Sequence, residues 1–306
     1  MIFESDADMS HTRKRKVYVL IPAAGSGSRM NLPVNKPFIE IDGVPVICRT
    51  VEAFNSHPDV SGIVIITSEA DYDRICQIAK QNEWMKLAGI AIGGQTRQAS
   101  VFKGLQFMYE HILTAEQPSQ SDSHIFTQNC AAEPSFSESG DRKSNSMGAG
   151  RESNSSDIGR KSGGASALVS EQTDDPVVLV HDGARCFISH EVIDRVIRGI
   201  SEKQACGAAM PVKETIKNVG DNGCILSTLE RKTLWSMQTP QGAFCRTLIQ
   251  AYRHASQKNF EGTDDLSVLE FFGVQTYVTE GSDFNIKLTT PFDLLLAEQI
   301  LCQMKA

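Results

Sequence analysis

The chain has 306 residues, 41% of them hydrophobic, and a formal net charge of −7. That apolar content suffices for a large core, and the acidic balance excludes a broad nucleic-acid-binding face, so phosphate recognition is expected to be local. No stretch approaches the roughly 20 apolar residues of a membrane-spanning helix, and the eight cysteines (48, 76, 130, 186, 206, 224, 245 and 302) follow no C-x-x-C or metal-ligand spacing, so they read as buried free thiols of a chain in the reducing cytoplasm.

Residues 1–15 are polar and read as a disordered N-terminal tail, because the apolar run after them, V-Y-V-L-I-P-A-A, is only strand length and no secretory signal. That strand breaks into A-A-G-S-G-S-R-M, which contains Arg29 and is followed by Lys36. Gly25 and Gly27 supply the first two positions of a dinucleotide fingerprint, but Met30 occupies the third. The other familiar phosphate loop, G-x-x-x-x-G-K-[ST], fails as well, since no Lys-Ser or Lys-Thr pair follows the glycines. Two readings remain. Either the small residues let backbone N–H groups approach an anion beside two cations, or this is a Gly-rich turn with solvated basic residues.

Further on, the helical pattern P-V-I-C-R-T-V-E-A-F-N-S-H precedes S-G-I-V-I-I-T-S-E, then Y-D-R-I-C-Q-I-A-K-Q-N-E-W, then G-I-A-I-G-G. Nearly all-apolar strands alternating with helices predict an α/β fold with Rossmann-like winding: a mostly parallel sheet with helices on both faces. Residues 93–101, G-G-Q-T-R-Q-A-S-V, repeat the strand–glycine–helix arrangement, with Arg97 and Ser100 opening the helix. From 117 to 175 the chain is rich in Ser, Gly, Asn and charge, and its only aromatics are Phe126 and Phe136, so this segment is expected to be a disordered insertion.

The strand P-V-V-L-V resumes the pattern and ends in H-D-G-A-R. Open α/β sheets bind ligands at such strand ends, which makes Asp182 a candidate Mg²⁺ ligand; the alternative is a helix cap or a pair with Arg185. His181 reads as a structural hydrogen-bonder. Residues 212–235 contain N-V-G-D-N-G-C-I-L, turn residues between alternating segments, which predict a protruding β-hairpin arm. Its unpaired edges call for a covering partner, and a second copy of the chain is expected. Finally G-S-D-F-N-I-K-L-T-T-P-F-D-L-L-L-A-E presents Lys287 on a short strand before a helix that Thr290 caps and Pro291 starts.

Taken together, A-A-G-S-G-S-R-M with Lys36, G-G-Q-T-R-Q-A-S, H-D-G-A-R, T-D-D and N-I-K-L-T resemble the 2-C-methyl-D-erythritol 4-phosphate cytidylyltransferase family from Val17 to Leu301, apart from the insertion. The resemblance implies one nucleotidyltransferase domain over 16–306 that transfers CMP from CTP to this polyol phosphate, in the non-mevalonate route to isoprenoid precursors. It also implies a homodimer through the arm, no nucleic acid and no membrane as partners, and Mg²⁺ as cofactor on Asp182. Ala23, Ala24 and Gly25 are implied as backbone contacts to CTP, and Arg29, Lys36 and Lys287 as the catalytic cations on its phosphates. Gly94, Gln95 and Ser100 are implied as readers of cytosine. Asp182, Arg185, Thr239 and Thr263 are implied on the acceptor side, with Thr215 and Arg231 contributed by the partner's arm. Gly183 and Cys186 stand where many members have Ala and Pro, a difference that bears on loop stiffness rather than charge.

A ribitol 5-phosphate cytidylyltransferase of the same wider group would share every nucleotide contact. A dinucleotide-dependent oxidoreductase is opposed by Met30, and a non-catalytic scaffold by the joint presence of Arg29, Lys36, Asp182 and Lys287.

Overall fold

V-Y-V-L-I-P, G-I-V-I-I-T and V-V-L-V are apolar at nearly every position, and each becomes a strand buried on both faces. The structure, a computed structural model, describes residues 15–25, 35–114 and 175–305. Residues 1–14 of the expected tail, the expected insertion up to residue 174, and Arg29 lie outside the described residues.

In chain order the elements are β1 (Val17–Pro22), a 3-10 turn (Lys36–Phe38), β2 (Glu40–Ile41), β3 (Val44–Pro45), α1 (Val46–Asn55), β4 (Gly62–Thr67), α2 (Tyr72–Asn82), β5 (Leu87–Ile92) and α3 (Arg97–Met108), which runs on into a π turn (Tyr109–Leu113). After residue 175 come β6 (Val177–Val180), α4 (His190–Lys203), β7 (Ala205–Pro211), β8 (Lys217–Val219), β9 (Ile225–Thr228), β10 (Trp235–Phe244), α5 (Cys245–Gln257), α6 (Asp265–Phe271), β11 (Tyr277–Glu280) and α7 (Pro291–Lys305).

Seven strands form one sheet in the order β11-β7-β10-β6-β1-β4-β5, parallel except for β10. Along β1 the side chains alternate between two layers. Val17, Val19 and Ile21 pack with Ile47, Val51 and Phe54 of α1 and Val192 and Val196 of α4. On the opposite face α3 comes so close that a Cβ on Gly104 would lie 2.3 Å from Ile66 Cδ1 and 3.8 Å from Leu20 Cδ1; only glycine permits that approach. Helices therefore cover both faces, as the alternation predicts.

The chain winds outward from β1 through β4 to β5, then crosses back to place β6 on the other side of β1. The carboxyl ends of β1 and β6 thus flank the point where the winding reverses, which is where open α/β sheets bind ligands.

Two expectations need correction. Lys287 is not on a strand: residues 281–290 are irregular, and their backbone is fixed instead by Leu288 N–H on Ala184 O (3.0 Å) and by the Arg185 guanidinium on Asn285 O (2.7 Å). The strand nearby is β11, which pairs in parallel with β7. Cysteines 48, 186, 206 and 245 are buried free thiols, but Cys224, in the turn of the arm, and Cys302, on the outer side of α7, are exposed. Both sit in apolar-looking sequence that the fold leaves uncovered.

The arm begins at Val212. Val212 N–H donates to Leu234 O (3.0 Å), and beyond that rung β8 and β9 form an isolated antiparallel pair. Trp235 already pairs with Pro211 in the main sheet, so the arm spans 212–234. Ile216, Val219, Ile225, Leu226 and Leu229 on it are exposed.

Candidate active site

At the carboxyl end of β6, His181-Asp182-Gly183-Ala184-Arg185 forms a tight turn against β1. Gly183 N–H donates to Pro22 O (3.2 Å), and Arg185 N–H to Asp182 O (3.0 Å). His181 is fully buried, and burial pushes its imidazole down to about 4, so the ring is neutral. Its Nε2 lies 3.0 Å from Arg185 O and therefore carries the proton. Nδ1 is then the acceptor, and the Thr239 hydroxyl donates to it at 3.1 Å while accepting Asp182 N–H at 3.0 Å. His181 is a structural hydrogen-bonder, as its sequence context indicates, and Thr239 is buried with its hydroxyl bonded within this network.

The Asp182 side chain is only 9% exposed, yet it is ringed by cations: Arg97 Nε at 3.0 Å, Lys287 Nζ at 2.9 Å and Arg185 Nε at 3.5 Å. Burial alone would raise its pKa. Arg97 first, then Lys287 and Arg185, outweigh that and hold the carboxyl well below the usual carboxylate range. Asp182 is thus an ionised carboxylate, and it makes the Arg185 pair that was the alternative reading.

The second loop uses its glycines for contact rather than for unusual dihedrals. A Cβ on Gly93 would lie 2.7 Å from Ser100 Oγ, and one on Gly94 would lie 2.6 Å from Ala99 Cβ. Ser100 is buried. Its hydroxyl accepts Gly94 N–H (3.0 Å) and lies 2.9 Å from Thr96 O, so it shapes the turn that carries Gly94 and Gln95. Thr96 caps α3 by accepting Ala99 N–H (3.1 Å).

A cleft of about 310 Å³ joins these pieces. Ala23, Ala24 and Gly25 just after β1, Lys36, Gly94 and Gln95 of the second loop, Ser100 of α3, Asp182 and Lys287 all line it. Nine of the residues named from sequence therefore meet in one cavity of a size that suits a small polar ligand. Asn35, which sequence reading passed over, anchors the segment carrying Lys36 through bonds of 3.0 and 2.8 Å to Asp71. Thr263 is exposed on the loop before α6, and Thr215 and Arg231 are exposed on the arm; these three, with Arg185 and Thr239, do not line the cleft.

Arg97 lines the cleft and is the residue sequence reading underrated. Besides Asp182, it makes a two-pronged pair with Asp265, Nη1–Oδ1 at 3.0 Å and Nη2–Oδ2 at 2.7 Å. Asp265 is fully buried and also accepts the Tyr252 hydroxyl. Burial disfavours the guanidinium's charge, but Asp265 and Asp182 more than compensate and raise its pKa further. The signal available in sequence was an arginine opening a helix just after a Gly-Gly strand end.

Gly183 and Cys186 differ from the family pattern only in packing. A Cβ at 183 would meet Ala23 Cβ and Pro22 O at 3.2 Å, a fit that needs small shifts. Cys186 is buried with Ile39, Val46, Leu288 and Ala297, and burial pushes its thiol up to about 12.

The family model described as 2-C-methyl-D-erythritol 4-phosphate cytidylyltransferase matches residues 17–114 and 159–303. Proteins of that name from Bacillus licheniformis and Halalkalibacterium halodurans are 34% and 31% identical to the chain, over 92% and 93% of it and 94% and 96% of their own lengths. Among solved structures, a 4-diphosphocytidyl-2C-methyl-D-erythritol synthase superposes with a TM-score of 0.62 at 26% identity, covering 94% of this chain and 99% of its own. The corresponding synthase of Anaerococcus prevotii has a TM-score of 0.65 at 23% identity over 94% and 97%, a likeness of fold. No helix among the described residues is long and apolar enough to cross a membrane.

Proposed function

This chain belongs to the 2-C-methyl-D-erythritol 4-phosphate cytidylyltransferase family, and from that premise we propose how its cleft carries out the reaction. The chain is a cytidylyltransferase of isoprenoid biosynthesis: it transfers CMP from CTP to 2-C-methyl-D-erythritol 4-phosphate, releasing pyrophosphate. The observation that carries the site reading is the convergence of a glycine loop, Lys36, Lys287 and the ionised Asp182 on one cleft at the winding reversal.

In this reading Ala23, Ala24 and Gly25 offer backbone N–H groups to the triphosphate, with Lys36, Lys287 and Arg29 as its counter-charges. Gly94 and Gln95 face cytosine, held by Ser100. An oxygen of the acceptor phosphate, already an anionic nucleophile, attacks the α-phosphorus in line. The bond from the α-phosphorus to the oxygen bridging toward the β-phosphorus breaks, and pyrophosphate leaves. No strong general base is needed, and catalysis rests on positioning and charge neutralisation. Arg185 and Thr263 serve the acceptor side, and Thr239 supports it through Asp182 N–H. Thr215 and Arg231 reach the acceptor of a partner subunit, a role supported by the exposed apolar residues of the arm.

Mg²⁺ is the proposed cofactor. No cluster of three His, Cys, Asp or Glu side chains able to hold a metal ion occurs among the described residues. A single ionised carboxylate nevertheless suits an ion that takes most of its ligands from substrate phosphates and water. Asp182 would hold it, and the ion would add positive charge beside the triphosphate. A cytoplasmic location completes the reading, supported by the seven described cysteines, all free.

Incubating the protein with CTP, Mg²⁺ and either 2-C-methyl-D-erythritol 4-phosphate or ribitol 5-phosphate, with pyrophosphate as readout, tests the acceptor. Release with the methylerythritol phosphate is expected. Release with ribitol 5-phosphate alone would overturn the assignment.

A further inference from the structure

The loop 260–264, between α5 and α6, belongs to no helix or strand, so side chains must satisfy and shape its backbone. One of those side chains, Gln98, comes from the first turn of α3. Gln98 Nε2 donates to Phe260 O, and Gln98 Oε1 accepts Gly262 N–H, both at 2.8 Å. Its neighbour Arg97 grips Asp265 with two nitrogens and Asp182 with a third. Buried Gln241 completes the frame: Oε1 accepts Asp265 N–H (3.0 Å) and Leu266 N–H (3.1 Å), and Nε2 donates to Asp264 Oδ2 (2.9 Å). Thr263 is thus suspended between tied residues on either side.

We propose that Arg97 and Gln98 are positioning residues that lock the Thr263 loop to the turn carrying Gly94 and Gln95, so that the acceptor contact is set by the nucleotide-reading segment. This rests on the assignment of Thr263 to the acceptor and of Gly94 and Gln95 to the nucleotide. The geometry separates the two residues' effects. Arg97 touches Asp182 and lines the cleft, so its loss disturbs both substrates. Both side-chain bonds of Gln98 go to the backbone of the loop, so its loss falls on the acceptor alone. At Gly262 the loop packs so closely on the start of α6 that a Cβ there would lie 2.5 Å from Ser267 Oγ.

The test compares Gln98→Met, Gln98→Glu and Thr263→Val, measuring the CTP Kd by calorimetry without acceptor, the acceptor KM, and kcat. Gln98→Met is expected to raise the acceptor KM about tenfold with the CTP Kd within about twofold, the pattern of lost acceptor positioning. Gln98→Glu keeps an acceptor for Gly262 N–H and loses the donor to Phe260, so its KM should fall between parent and Met variant. An unchanged acceptor KM in both Gln98 variants overturns the inference, as does an equal rise in CTP Kd, provided Thr263→Val still raises the acceptor KM. If Thr263→Val leaves the acceptor KM unchanged, the acceptor assignment itself is wrong and the inference falls with it. A merely structural role would lower the active fraction and hence kcat, with both substrate affinities intact.

Discussion

Lys287 Nζ lies 2.9 Å from Asp182 Oδ2, so the irregular segment before α7 delivers a cation directly to the carboxylate at the end of β6. The pair is a geometry that substrate can remodel. The lysine side chain is 39% exposed and lines the cleft, while the aspartate is held from behind by Arg97.

Lys36→Ala and Lys287→Ala are each expected to fold normally and to lose at least about a hundredfold in kcat/KM, the scale of one transition-state charge contact. Arg29→Ala should behave alike. Steady-state kinetics with a melting curve on each variant checks this; near-parental turnover in both lysine variants would remove the phosphate-site assignment.

The arm predicts complementation between subunits. Arg231 is exposed, with its guanidinium on Lys213 O of the same arm (3.1 Å) and no place in the cleft of its own chain. Mixing inactive Arg231→Ala with inactive Lys36→Ala subunits should restore activity, because a mixed dimer carries one site with both groups intact. Demonstrated subunit exchange without recovery would show that Arg231 does not serve a partner's site.

The connection after α3 leads to a third expectation. α3 starts at Arg97 in the cleft and runs away from it, and β6 starts at Val177 and runs toward Asp182, so both junctions lie at the end of the sheet opposite the cleft. Doubling the length of such a connection costs only about 0.6 kcal/mol. Replacing residues 117–172 with a short Gly/Ser turn should leave kcat and KM within about twofold, provided Asp175, which accepts Arg246 N–H, is kept. A tenfold loss in a folded, dimeric deletion variant would contradict this.

His57 supplies a pH dependence remote from the cleft. Its ring is buried: Nδ1 accepts Asp59 N–H (3.2 Å), Nε2 faces Asp194 (3.2 Å), and the His190 ring lies 4.8 Å away. Burial pushes its pKa below the ordinary 6.5, with Asp194 pulling the other way. Between that lowered value and 6.5 the unfolded chain binds a proton that the folded chain does not, so stability falls as pH drops through this window. Denaturant midpoints over roughly pH 5 to 7.5 should show a shallower acid loss in His57→Gln than in the parent. Identical slopes would mean His57 titrates alike in both states.

The sequence by itself determined the parts whose cause is local. Unbroken apolar runs specify strands covered on both faces, Asp42-Gly43 specifies the two-residue turn, with both φ positive (51° and 70°), and glycines at strand ends mark where backbone or side chains come too close for a Cβ. Such signals located the cleft-lining residues just past β1, in the second loop and just past β6. They could not give β10, W-S-M-Q-T-P-Q-G-A-F, which follows the arm and lies antiparallel between β6 and β7, because strand direction depends on distant partners. Nor could they show that Thr239 turns its hydroxyl inward to His181, or that Arg97 and Gln98 reach a loop more than 160 positions along the chain. Periodicity reports which face of an element is buried. Which buried or half-buried polar group meets which other one is decided only when the packed layers bring unrelated segments within hydrogen-bond distance and leave each donor few acceptors to choose from.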